Sequence, residues 1–247
     1  MTLQKKVFEN YNKIHGKYLD FDQIKIQKFF DNYVNKNILL NFKDSQVLEI
    51  GCGKGFMIKS LATKQIKTKF FGIDLSPEDI SFAKEYLKDY STVKNIQVAD
   101  AFDYLKDNKN KFDFIICKDV LEHIPKDKLE LFLDFINAAL TKNGRVFIAV
   151  PNMDWYYSQH ERYMDITHEV GFTKESLGQL SRLHFNDVKI NKINQDDSRS
   201  ICNFIRFSLL KPILVLIINQ FLKIMGDGSA GSWWQSREIY CVGTKIK

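Results

Sequence analysis

At 247 residues the chain has room for one full α/β domain with additions, and 45% hydrophobic against 27% charged residues excludes a wholly disordered or fibrous protein. The net charge of +6 comes without a dense Lys/Arg block or a nucleic-acid motif, so no nucleic-acid partner is expected and an anionic substrate or membrane surface suits it at least as well. Cys52, Cys117, Cys202 and Cys241 are scattered without a C-x-x-C pair, and the polar start MTLQKKVFENYNK carries no secretory signal, which together point to a reducing cytoplasm and to cysteines that serve as small buried hydrophobes.

In chain order, residues 1 to 44 read as a helical cap. Tyr11, His15 and Tyr18 fall at i, i+4 and i+7, and a second apolar pattern runs through Ile24, Ile26, Phe29, Phe30, Tyr33 and Val34. The Tyr/His/Tyr stripe either faces a substrate pocket or packs on the domain. Next comes Gln46 to Leu61, QVLEIGCGKGFMIKSL, a buried strand followed by a glycine turn and a helix. Gly51, Gly53 and Gly55 let the backbone take positive φ and approach a ligand, and the helix N-terminus behind them favours a nucleotide or nucleoside. The third glycine arrives one residue too early for the dinucleotide fingerprint and follows an acidic Glu49, which disfavours a nicotinamide oxidoreductase.

Lys69 to Asp74 reads as a second strand ending in a carboxylate that can accept from both ribose hydroxyls of an adenosine. Ser76, Pro77 and Asp79 then open a helix in the manner of a capping box. A third strand, Asn95 to Ala99, delivers Asp100 and Ala101, placed for an adenine amino group and ring nitrogen. A fourth, Phe112 to Cys117, delivers Lys118 and Asp119. Pro125 and Asp127 begin a helix through Leu140, Asn143-Gly144 turns the chain, and Arg145 to Val150 is a fifth strand. Thr173 caps a helix through Leu183, Phe185 to Ile193 is a sixth strand and Arg237 to Ile246 a last one.

Taken together, VLEIGCGKGF, FFGIDLSPEDI, VADAFDYL, FDFIICKDVLEHIP and NAALTKNGRVFIAVPN resemble motifs I to VI of the class I S-adenosylmethionine (SAM) dependent methyltransferases, in order and at the usual separations. The resemblance implies an α/β fold: a Rossmann-like, seven-stranded, mostly parallel sheet with the last strand antiparallel between strands five and six and helices on both faces. It also implies SAM as cofactor, with S-adenosylhomocysteine as product. Glu49, Gly51, Cys52, Gly53 and Gly55 would hold the methionine end, Asp74 and Leu75 the ribose, Asp100 and Ala101 the adenine, and Lys118 the floor near the methyl group. The expected organisation is an N-terminal cap over 1–44, a SAM-binding core over 45–194, a hydrophobic helical insertion over 195–236 and the final core strand over 237–247.

Methyl transfer from a sulfonium requires alignment, a dry pocket and, for a neutral hydroxyl, a base. The loop WYYSQHERYMDITHEVGFT crowds His160, Glu161, Arg162, Tyr163, Asp165, His168 and Glu169 together at the ligand edge. His168 is the first candidate base, with Asp165 or Glu169 orienting it, and His123 in LEHIP is the second. Tyr11, His15, Tyr18, Arg162 and Tyr163 are candidate substrate contacts. R-Y-x-D-x-T-H-E-x-x-F-T resembles a string of methyltransferases from bacterial surface-polysaccharide gene clusters (capsule, O-antigen), which implies O-methylation of a sugar or sugar-linked, phosphate-bearing acceptor. A quinone or lipid acceptor, or a non-catalytic SAM-binding partner protein, are the alternatives. No metal is expected: Asp119, Asn152 and Asp154 form an incomplete pattern, and His160 and His168 lack zinc-site company.

Residues 200–225 are the most apolar stretch, yet Arg206, Lys211, Asn219, Gln220, Lys223 and a dividing Pro212 leave no run of the ~18 to 20 apolar residues that a spanning helix needs. The expectation is an amphipathic hairpin at the inner face of the membrane, or a dimer interface or pocket cover. Trp233 and Trp234 after the Gly/Ser turn would anchor at an interface or pack on the insertion.

Overall fold

The computed structural model describes residues 6, 7, 14, 22–38, 44–65, 67–193, 209–226 and 233–246. Tyr11, His15, Tyr18, Arg199, Cys202 and the first part of the apolar insertion lie outside them. The described helices are α1 (Gln23–Asn37), α2 (Phe56–Ala62), α3 (Pro77–Tyr86), α4 (Ala101–Asp107), α5 (Leu129–Ala139), α6 (Ser158–Tyr163), α7 (Lys174–His184) and α8 (Lys211–Ile224). The strands are β1 (Gln46–Ile50), β2 (Lys69–Asp74), β3 (Val93–Val98), β4 (Phe112–Lys118), β5 (Leu140–Pro151), β6 (Phe185–Lys192) and β7 (Glu238–Lys245).

The strands form one seven-stranded sheet in the order β3-β2-β1-β4-β5-β7-β6. Pairs from β3 to β5 are parallel, and β7 runs antiparallel between β5 and β6, pairing Val146 with Gly243 on one side and Lys189 with Val242 on the other. The order reverses at β1, beside which β4 lies, so the carboxyl ends of β1, β2 and β4 open on the crevice where ligands of such sheets bind.

Alternating side chains divide the core in two, as the period of two in a strand requires. Leu48, Ile50, Ile115, Cys117, Ile148 and Val150 point to one face and pack with Leu105, Phe132, Leu133, Ile136 and Leu177 of α4, α5 and α7. Val47, Phe114, Ile116, Phe147 and Ala149 point to the other and meet Tyr33, Val34, Met57, Ile58 and Ile80 of α1, α2 and α3. Each large apolar side chain so buried contributes about 1.5–3 kcal/mol, which is why β1 and β4 read as continuous apolar runs. Cys52, Cys117 and Cys241 are free and buried.

Local signals explain most boundaries. Ser76 Oγ accepts from the Asp79 amide at 3.3 Å with Pro77 in the first turn, and Asp79 turns its carboxylate to Lys54 at 3.7 Å. Thr173 caps α7 in a reciprocal box with Ser176. Two expectations need correction. The helix read from Pro125 begins at Leu129 after a 3₁₀ turn at Lys126–Lys128. Asn143-Gly144 does not separate the helix from the strand: β5 starts at Leu140, and the residues between Leu140 and Arg145 form an irregularity in its pairing with β4. Pro212 stands in the first turn of α8, behind Leu209 and Leu210, which are themselves helical. None of the residues of α8 is buried. No helix among the described residues is long and apolar enough to cross a membrane.

Candidate active site

A cavity of about 840 Å³ opens at the carboxyl ends of β1, β2 and β4. At its base Gly51, Gly53 and Gly55 all take positive φ (71°, 48° and 79°). The Gly51 and Cys52 amides donate to the Ile73 carbonyl at 2.9 and 3.0 Å, tying the loop to the end of β2. A Cβ on Gly51 would stand 2.5 Å from Val120 Cγ2, whereas one on Gly53 would meet nothing within 4 Å. Gly51 is therefore fixed by packing, and Gly53 leaves open space for a ligand. Gly55 is corrected as a wall residue: it caps α2 and packs against Leu87 and Ala83 of the α3 segment, outside the cavity lining.

Asp74 ends β2 with its carboxylate held by two backbone amides, Gly53 to Oδ2 at 2.9 Å and Ser76 to Oδ1 at 2.8 Å. Burial raises its pKa, and those amides oppose the rise. Each oxygen keeps a lone pair for a ligand hydroxyl. Leu75, Asp100 and Ala101 line the same wall, and Asp100 also caps α4 by accepting from the Phe102 amide at 2.8 Å. Glu49 is 5% exposed, lines the cavity and leaves Oε2 without a hydrogen-bond partner among the described residues. Burial and then the neighbouring Asp74 push its pKa well up, against the pull of Lys118. Lys118 pairs with Asp119 and, at 3.3 Å, with Glu238, and these two carboxylates raise its pKa against burial. Of the cap, Phe30 of α1 reaches the cavity wall; the rest of α1 docks on α2, where Gln27 donates to the Phe56 carbonyl and Ser60.

The far end of the cavity joins β4's continuation to the loop after α6. The Glu122 carbonyl accepts from the Glu169 and Val170 amides at 2.8 and 3.1 Å, which brings His123 and His168 together, their rings tilted at 53° with centroids 4.8 Å apart. The Asp165 carboxylate accepts from the Thr167 hydroxyl at 2.7 Å, so that hydroxyl in turn accepts from His123 Nδ1 at 2.9 Å. His168 Nδ1 donates to the Glu161 carbonyl at 2.8 Å. Both rings thus hold their protons on Nδ1 when neutral and keep the lone pair on Nε2. Burial first, and His168 second, lower the pKa of His123. Hydrogen bonds from Thr167 outweigh burial and lower that of Asp165.

Several expectations about this loop are redirected. The Asp165 carboxylate positions His123 through Thr167, and its residue meets His168 only along the backbone, where the His168 amide donates to the Asp165 carbonyl at 3.2 Å. Glu169 is exposed and stands outside the cavity lining. Arg162 donates to the carbonyls of His168 and Glu169 and so shapes the loop, while Tyr163 is 79% exposed. Asn152 and Asp154 are spent on backbone: Asn152 Nδ2 donates to the Trp233 and Ser236 carbonyls, and Asp154 accepts from the Lys174 amide. His160 stacks on Tyr157 away from the cavity.

Residues 23–186, two thirds of the chain, match the family described as a methyltransferase domain. The chain belongs to the methyltransferase-domain family. This methyltransferase-domain chain is 28% identical over 165 residues to an uncharacterized protein of Rickettsia prowazekii, covering 66% of the chain and 65% of that relative. It is 32% identical over 84 residues to a ubiquinone biosynthesis O-methyltransferase of Colwellia psychrerythraea, covering 34% and 33%. The match thus spans about a third of that relative and just under two thirds of the other. Among solved structures, a SAM-dependent methyltransferase from Archaeoglobus fulgidus aligns with TM-score 0.63 at 21% identity over 89% of this chain and 94% of that one. A Haemonchus contortus phosphoethanolamine N-methyltransferase solved with SAM aligns at 0.61 and 17% over 88% and 52%. The fold is that of the SAM-dependent methyltransferases. Sequence reasoning on the methyltransferase missed Glu122, Thr167 and the Glu161–Arg237 pair, whose Oε1 and Nε are 3.0 Å apart at the cavity wall. Glu122 stands beside His123 in LEHIP, and Glu161 and Thr167 lie in the crowded loop, but none of these letters shows its pairing.

Proposed function

We propose that the protein is a SAM-dependent O-methyltransferase acting on a hydroxylated, sugar-type acceptor, with a phosphate-bearing or lipid-linked form of that acceptor in surface-glycan synthesis as the biological context. The observation that carries the reading is one cavity with two chemically different ends: a glycine and carboxylate cradle at one, and two imidazoles with fixed tautomers at the other.

The cradle fits the cofactor. Asp74 has acceptor capacity left for the two ribose hydroxyls, Gly53 leaves room for close approach, and the unpartnered Glu49 Oε2 suits an ammonium such as that of the methionine end. SAM supplies an electrophilic methyl group on a sulfonium. The protein's own share is alignment, exclusion of water and management of the acceptor's proton. Oxygen is favoured as the acceptor atom because the far end keeps two imidazole lone pairs, which are of use where a hydroxyl must be activated. Lys128 and Arg237 line the same cavity and suit a phosphate group on the acceptor.

A quinone or lipid acceptor is the second reading, favoured by α8, where Ile213, Leu216, Ile217, Phe221 and Ile224 are exposed. A membrane-facing α8, held by the Trp234 indole donating to Asn219 at 2.9 Å, serves a lipid-linked glycan as well as a quinone. Incubation of the SAM-loaded protein with nucleotide sugars, sugar phosphates, polyprenyl-linked sugars and demethylated quinones, followed by mass spectrometry, tests the proposal. A methyl gain on a sugar hydroxyl supports it; a gain on the quinone alone replaces the acceptor, and SAM binding with no transfer to any of them points to a non-catalytic partner.

A further inference from the structure

Glu122, His123 and His168 each bring one metal-ligating atom to within 4.8 Å of the other two. Three independent features make this more than proximity. First, Glu122 is 2% exposed, lines the cavity, and neither carboxylate oxygen has a hydrogen-bond partner among the described residues. A buried carboxyl without partners is costly, and a bound cation removes that cost. Secondly, both imidazoles are set for coordination by bonds outside the cluster: His123 Nδ1 donates to Thr167 Oγ1, and His168 Nδ1 to the Glu161 carbonyl. A ring so held turns its Nε2 lone pair to a metal, and these outer bonds also fix the ring's orientation. Thirdly, all three residues line a cavity open to the putting in of an acceptor, so coordination positions would remain for a small ligand.

We propose that Glu122, His123 and His168 bind a divalent first-row transition-metal ion. Two imidazoles and one carboxylate suit zinc, iron, cobalt or manganese, and disfavour calcium and magnesium, which prefer all-oxygen sites. The set escaped the sequence because two ligands are adjacent and the third lies 45 positions on, brought over by the Glu122 carbonyl's bonds to Glu169 and Val170. An ion there would hold an acceptor hydroxyl oxygen at the far end of the cavity and make its proton more acidic. That consequence rests on the acceptor reading above; the binding site itself does not.

The test is titration of the full chain, stripped with chelator, with Zn²⁺ by calorimetry and with Co²⁺ by visible absorption, alongside Glu122→Gln and His168→Ala. SAM binding is measured on the same samples. The proposal expects one equivalent of metal, a tetrahedral or five-coordinate Co²⁺ spectrum, and at least tenfold weaker binding in each variant. Unfolding midpoints of the metal-free variants check that they are folded, and a Zn²⁺-dependent rise in the wild-type midpoint, absent in the variants, is expected in parallel. Metal binding that is unchanged in both folded variants, or no binding in the wild type, overturns the site. If SAM binds while metal does not, the methyltransferase reading stands and this proposal falls. Metal binding without SAM binding does the reverse.

Discussion

Gly51 and Gly53 sit two residues apart in the same loop, yet alanine should affect them differently. Both have positive φ, a region that costs an L-residue ~1–2 kcal/mol. At Gly53 the new methyl meets nothing within 4 Å, so that backbone cost is the whole stability effect, and at about 2–4 °C per kcal/mol for a chain of this size the midpoint falls by roughly 2–8 °C. At Gly51 the methyl stands 2.5 Å from Val120 Cγ2 and adds an overpacking cost of ~1–3 kcal/mol, for a total of about 2–5 kcal/mol and a midpoint lower by roughly 4–20 °C. Binding should rank the other way per degree lost. The open space at Gly53 is where a cofactor would approach the backbone, so Gly53→Ala should weaken S-adenosylhomocysteine at least tenfold, about 1.4 kcal/mol, while the protein stays folded. Differential scanning calorimetry and isothermal titration of the two variants measure both quantities. Unchanged affinity in Gly53→Ala would refute the cradle, and equal stability losses in the two would refute the packing argument at Gly51.

Asp74→Ala removes an acceptor for the two ribose hydroxyls, each charged hydrogen bond being worth about 1.5–3 kcal/mol, so the cofactor's Kd should rise by roughly 10²–10⁴-fold; near-normal affinity in calorimetry discredits the ribose assignment. His168→Ala should lower turnover at least 10²-fold with cofactor affinity unchanged, the scale of losing a group that activates the acceptor hydroxyl, and steady-state kinetics showing full activity would remove it from the chemistry. Thr167→Val breaks the link from Asp165 to His123 at a cost of about 0.5–1.5 kcal/mol and should reduce kcat more than it raises KM; a pure KM effect would argue against positioning. For His123 the folded pKa is lowered, so the unfolded ring takes up its proton at about 6.5 while the folded ring does so only at lower pH. The stability it contributes is present above pH ~6.5 and is lost as pH falls below that value, and His123→Asn should flatten that part of a denaturant-midpoint profile.

The sheet was legible because its signals are local. Apolar runs such as Phe112 to Cys117, the cap at Ser76-Pro77 and the box at Thr173 depend on near neighbours, and the structure keeps them. The start of β5 was not, because its first residues pair with Phe112 across an irregularity that no periodicity records. The cradle was legible for the same reason as the sheet: Glu49, Gly51, Gly53 and Asp74 sit at strand ends in motif order. At the acceptor end the pattern named the right loop but not the roles within it. Arg162 binds carbonyls of its own loop and Asp165 works through Thr167, relations set by how residues 161–170 fold over Glu122. A buried glutamate without partners leaves no mark on the sequence beyond its letter.

The central claim is that one cavity holds SAM at its glycine end and presents the transferred methyl group to an acceptor at the His123–His168 end. Calorimetric titration of the purified chain with SAM, S-adenosylhomocysteine and NAD tests it most directly. The account predicts one equivalent of SAM or S-adenosylhomocysteine bound with micromolar or tighter affinity, lost in Asp74→Ala, and no heat with NAD. Binding of NAD in preference, or no binding of SAM to the folded protein, would contradict it.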